Sequence, residues 1–88
     1  MICPETQCAL NKRMADAQLR YGTFASAHEA IGVADEEWLE LRLAVHDNDL
    51  ESIRCECLDL AAALLRLHDQ LVPGSAIAKR SGCEDDAV

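Results

Sequence analysis

Two pairs of acids carry the chemistry this sequence could do. Glu37 and Glu40 lie three residues apart, and so do Glu56 and Asp59. On a helix, residues at i and i+3 share a face about one turn apart. A short turn at Asp47-Asn48 would fold the two segments into an antiparallel hairpin. Glu40 then comes opposite Glu56, with Glu37 one turn further along beside Asp59. Like charges ~4 Å apart repel by several kcal/mol at an intermediate dielectric, so four convergent carboxylates are costly without cations. Hard divalent cations with oxygen ligands remove that cost. Mg2+ takes one or two carboxylates, keeps several waters and accepts phosphate oxygens.

An acid pair on a helix is more often a solvated face than a site. Two pairs on consecutive helices, each beside an apolar stripe, are a stronger signal. Asp59 in particular stands among Leu58, Leu60 and Ala61, where an unpaired charge is expensive. A di-iron centre needs Glu-x-x-His motifs at a bundle core. None of His28, His46 or His68 has a glutamate three residues before it. The acids therefore point to Mg2+ or Mn2+ instead.

Three helices must position these acids. The first is expected from about Glu5 to Tyr21, with Leu10, Met14 and Ala17 at helical spacing, Pro4 at its start and Gly22 after its end. The second opens on Ser26-Ala27-His28-Glu29, an S-x-x-E capping box. Ile31, Ala34, Trp38, Leu41 and Val45 then form one apolar stripe at steps of three and four, which is expected to face the core or a subunit interface. The third helix is capped by Asn48 or Asp49 and runs to about Val72, where Pro73-Gly74 stops it. Leu50, Ile53, Cys57, Leu60, Leu64, Leu67 and Leu71 form its main stripe, and Leu58, Ala61, Ala62 and Leu65 a second apolar face. A helix apolar on more than one side belongs in the middle of a bundle. Ser75 to Arg80 could add a short helical turn, and the acidic end reads as a solvated tail, so residues 1–74 form the domain and 75–88 the appendage. No alternating run suggests a strand.

Composition bounds the rest. The chain has 88 residues, 16 Asp+Glu against 8 Lys+Arg, and a formal charge of -8. One domain is the ceiling at this length, and its core is thin enough that self-association is expected. An acidic chain without a basic patch is a poor partner for duplex nucleic acid. No apolar run is long enough to span a membrane, and the first residues do not read as a secretory signal. Five cysteines, an odd number, argue against a closed disulfide framework, and Cys55-Glu-Cys57 lacks zinc-ligand spacing. Reduced thiols in a cytoplasmic protein are the simpler reading, with Cys57 packed as a small hydrophobe.

Glu36-Glu37-Trp38-Leu39-Glu40 followed by Glu56-Cys57-Leu58-Asp59 resembles the signature of the MazG-like, all-α nucleoside triphosphate pyrophosphohydrolase superfamily, E-E-x-x-E and then E-x-x-D. The spacer, residues 41 to 55, has a length usual for that family, and the lead-in Phe24 to Ala30 looks like its small bacterial and phage members. The resemblance covers about residues 20 to 71. It implies an all-α antiparallel bundle, four-helical in type and completed by oligomerisation as a homodimer or homotetramer. It also implies Mg2+-dependent hydrolysis of a (deoxy)nucleoside triphosphate to the monophosphate and pyrophosphate. Carried over by position, Glu37, Glu40, Glu56 and Asp59 are the metal ligands. Glu36, beside them, is a candidate second-sphere or base residue.

Arg66, His28 and Phe24 are candidate substrate-binding residues, each with a plainer reading. Arg66 could be a surface arginine near a helix end, His28 a solvated or capping residue, and Phe24 a plug over the bundle end. Lys12, Arg13, Lys79 and Arg80 could reach a neighbouring subunit's phosphate, though no spacing requires it. The competing functional readings are a non-catalytic helical oligomerisation or interaction module, whose acids are only solvated, and a family member that binds nucleotide without turning it over.

Overall fold

The computed structural model describes residues 2–73. The possible turn at Ser75 to Arg80, the acidic tail and Cys83 lie outside these residues. The described residues form three α-helices and no strand: α1 (Pro4–Tyr21), α2 (Ala27–His46) and α3 (Leu50–Gln70). The protein is therefore all-α.

Local chemistry accounts for the helix ends. Pro4 occupies the first turn of α1, where its missing N–H leaves no bond unmade. Gly22, at φ 75°, closes that helix, and its N–H donates to Gln18 O. A side chain at such a φ would be strained, so glycine is the fitting residue. Ser26 Oγ accepts from the Glu29 N–H at 3.1 Å and starts α2. Glu29 reaches back one residue further than a standard capping box, its Oε1 accepting from the Ala25 N–H. Asp49 caps α3 by accepting from the Ser52 N–H. Between α2 and α3, Asn48 takes a positive φ of 59°, a conformation asparagine tolerates. At the far end α3 stops at Gln70, two residues before Val72, because Pro73 disfavours the helical conformation of the residue preceding it.

The middle position of α3 follows from its packing. It contacts both α1 and α2, while α1 and α2 do not pack on each other. Direction along the bundle is fixed by cross-helix pairs. Arg13 meets Asp59 and Gly22 meets Arg66, so α1 and α3 run the same way. Phe24 meets Gln70 at the end of α3, and α2 returns in the opposite direction.

The buried apolar residues are Leu10, Phe24, Ala30, Ala34, Ala44, Ala62 and Ala63. The first helix presents the expected face, with Leu10 buried and Met14 and Ala17 half-buried. The second does so only in part, through Ala34 and Leu41. Ala30, Ala34, Leu41 and Ala44 turn inward with Val33 and Glu37, whereas Ile31, Trp38 and Val45 are half exposed. The inward face is thus rotated by about one residue from the stripe of large side chains. Alanines on both helices allow a close α2–α3 approach, and that approach sets Glu37 into the seam. Part of the α3 stripe is also open in the single chain: Leu50, Cys57, Leu64 and Leu71 are exposed. Cys57 is therefore not packed, and Cys55 is the half-buried thiol.

Candidate metal centre

Three carboxylates meet at the α2–α3 seam. Glu37 comes from α2, and Glu56 and Asp59 come from successive turns of α3; one oxygen from each lies within 4.8 Å of the others. Glu40, one turn along α2 from Glu37, is exposed at the rim. Its charge acts on both Glu37 and Glu56. The hairpin thus brings three of the four acids together, with Glu40 outside the group.

The seam holds these acids under electrostatic load. Glu37 Oε1 and Glu56 Oε1 are buried and have no hydrogen-bond partner. Burial, and then the charges of Asp59, Glu40 and Glu56, push the Glu37 carboxyl up to about 7. Glu56 is also raised, first by burial and then by Glu40 and Asp59. Each proton held there is charge that the cluster cannot accommodate by itself. The donor set consists of hard oxygens on two helices with free lone pairs, which suits Mg2+ or Mn2+ rather than a thiophilic metal. Among the described residues, no cysteine or histidine joins a comparable group.

The cluster borders a cleft of about 720 Å³ between α1 and α2. Its floor is α3, through Asp59, Ala62, Ala63 and Arg66, and Glu36 and Glu37 stand in its α2 wall. The α1 wall contributes Arg13, whose Nε donates to Asp59 Oδ1 at 2.8 Å. Asp59 in turn strengthens Arg13's hold on its proton. Arg13 thus reaches an acid of its own chain.

The remaining candidates separate by position. Arg66 is buried, at 8 % exposure, and is not a surface arginine. Its Nη2 donates to Gly22 O at 2.8 Å, and its guanidinium lies over the Phe24 ring, 4.5 Å from the centroid. Phe24 is buried beneath it. The Gln70 side-chain amide accepts from the Phe24 N–H and donates to Phe24 O. The α1–α2 loop is thus tied to the end of α3 through two side chains one turn apart. Arg66 Nε nevertheless has no partner. His28 is exposed on the first turn of α2 and does not line the cleft. Trp38 is half exposed on the outer side of α2 and is likewise absent from it.

Two contacts escaped the sequence reading, although each carried a signal. Arg13 falls on the same face as Leu10, Met14 and Ala17, which face α3, and Gln70 lies one turn beyond Arg66. Comparison with protein families, curated proteins and solved structures finds no match for this chain.

Proposed function

We propose that this protein is a Mg2+-dependent nucleotide pyrophosphohydrolase of the MazG-like all-α type, converting a (deoxy)nucleoside triphosphate to the monophosphate and pyrophosphate. The observation that carries this reading is the convergence of Glu37, Glu56 and Asp59 within 4.8 Å, with buried, unpartnered oxygens, at the edge of a cleft. A merely solvated acidic face has no reason to turn Glu37 into a helix seam, where burial raises its pKa.

Glu37, Glu56 and Asp59 would hold the cation, with Glu40 completing the set from the rim. When bound, the cation supplies neutralisation of the polyphosphate and a lowered pKa for the attacking water. Water adds to the α-phosphorus, the bond to the α–β bridging oxygen breaks, and pyrophosphate leaves. Glu36, exposed in the cleft wall beside Glu37, would take the proton from that water. Ala62 and Ala63 leave room on the cleft floor for the rest of the nucleotide. Arg66 serves by fixing the loop that closes the cleft's end.

Self-association completes the reading. Ile31, Trp38 and Val45 recur every seven residues and are all half exposed, so α2 presents an apolar outer row. The buried core is mostly alanine, and each alanine contributes only about one methyl group of apolar burial, ~0.8 kcal/mol. A second copy covering that row would supply the missing wall of a four-helical unit, as a homodimer or within a homotetramer.

The test is turnover of a panel of ribo- and deoxynucleoside triphosphates with Mg2+ or Mn2+, following pyrophosphate and monophosphate, beside Glu56→Gln. Pyrophosphate release that the substitution abolishes is the expected result. No turnover of any nucleotide, with both proteins melting alike in metal, would leave a non-catalytic helical interaction module.

A further inference from the structure

The Arg13–Asp59 pair joins α1 to the carboxylate cluster across the cleft. It is a single contact of 2.8 Å through Nε, and both side chains are about a third exposed, at 32 % and 39 %. Such a pair is weakly held, because solvent screens it, although Cys55 also acts on the guanidinium. One monovalent cation also leaves the cluster undersupplied: Glu37 Oε1 and Glu56 Oε1 have no partner despite it. A divalent ion at the cluster competes with Arg13 for Asp59, since both require the same carboxylate.

Three arginines line the cleft, and they are not equivalent. Arg66 is buried and committed to Gly22 O and the Phe24 ring, and its Nε is unpartnered. Arg20 lies beside the Tyr21 ring at the far end of α1. Of the three, Arg13 is the one ion-paired to an acid of the cluster, and it is about a third exposed.

Resting on the proposed function, we propose that Arg13 is a displaceable counter-ion: it occupies Asp59 until a divalent cation takes that carboxylate, and the released guanidinium then binds the polyphosphate of the incoming nucleotide. The exchange raises the positive charge held at the acids from one to two and moves the charge of Arg13 into the cleft. The cation replaces Arg13 at the acids, and Arg13 supplies the cleft with a planar, multidentate donor for phosphate oxygens. The metal-free site is thereby kept from accumulating bare negative charge, and the phosphate-binding cation becomes available only once metal is present.

The wild-type chain allows a test without substitution. The Arg13 Nε–H resonance in a 15N–1H spectrum, assigned by its loss in Arg13→Lys, is expected to move in step with Mg2+ occupancy and to move again with a non-hydrolysable triphosphate analogue. Calorimetry with Mn2+ alone provides the second measurement. Arg13→Gln is expected to bind Mn2+ about three- to tenfold more tightly, because a competing cation is gone. At saturating Mn2+ the same substitution should raise KM for the triphosphate by roughly tenfold, with Arg13→Lys recovering part of the loss. A resonance unmoved through metal saturation overturns the exchange, as does an Arg13→Gln isotherm identical to wild type. An unchanged KM overturns the phosphate contact. Wild-type protein that takes up no Mn2+ overturns this inference and the proposed function together, whereas metal uptake and turnover with Arg13→Gln indistinguishable from wild type overturn this inference alone.

Discussion

Glu37 is the residue on which the site's electrostatics turn. It lies in a helix seam beside three other acids, and burial with their charges moves its pKa from an ordinary 4.5 to about 7. The consequence for stability has a definite sign. The folded protein binds the proton more tightly than the unfolded chain, so Glu37 favours folding below about 4.5 and loses that contribution as pH rises to about 7. Glu37→Gln should therefore raise Tm at pH 8 and leave it nearly unchanged at pH 4.5 in metal-free protein, by calorimetry; equal shifts at both would show that the side chain carries no such load. Mg2+ is expected to reverse the comparison. In wild type at pH 6.5 its binding should release protons, read by calorimetry in buffers of different ionisation enthalpy, and should raise Tm. Glu56→Gln should lose most of that rise while being as stable as wild type, or more so, without metal.

At the scale of the helices, the end signals are local and so is their energetics. Ser26 and Asp49 each satisfy a backbone N–H that would otherwise be orphaned at the start of α2 and α3. Replacing Ser26 by Ala should cost about 1 kcal/mol in urea unfolding, since a cap is lost without disturbing the seam. A midpoint unchanged in urea would mean that the Glu29–Ala25 contact alone holds the helix start. Each of the three helices begins and ends within a residue or two of its sequence expectation, because proline, glycine and capping side chains act on the backbone beside them. The facing of α2 was not legible in the same way. Of the stripe Ile31, Ala34, Trp38, Leu41 and Val45, Ala34 is buried and Leu41 half-buried, whereas Ile31, Trp38 and Val45 are half exposed and Ala30 and Ala44, outside the stripe, are buried. Small size, rather than high hydrophobicity, governs how closely two helices approach, and a periodicity count weights those two properties in the wrong order here.

For the whole molecule, the arrangement is one central helix with two flanking helices that do not meet. The gap between α1 and α2 is what becomes the cleft, so the site's access depends on the absence of a contact. The outer apolar row of α2 belongs to the same scale. Trp38→Glu should reduce the molar mass in light scattering to that of a single chain, and its counterpart in wild type should be a Trp38 emission shifted to shorter wavelength as concentration rises. A single-chain mass for wild type at all concentrations would remove the second copy from the reading. None of the helices described is long and apolar enough to cross a membrane.

The sequence by itself determined the all-α class and the helix ends, and it picked out Glu37, Glu56 and Asp59, the three acids that meet. Those follow from interactions within a few residues: an N–H and its cap, a proline ring and its neighbour, a turn of helix between Glu56 and Asp59. Tertiary structure alone decided the rotation of α2, the burial of Arg66 over Phe24, and the pairing of Arg13 with Asp59 across 46 residues of chain. Each of these depends on how far one helix stands from another and which side it presents. That is settled by the summed packing of many small side chains, and no single spacing along the chain encodes it.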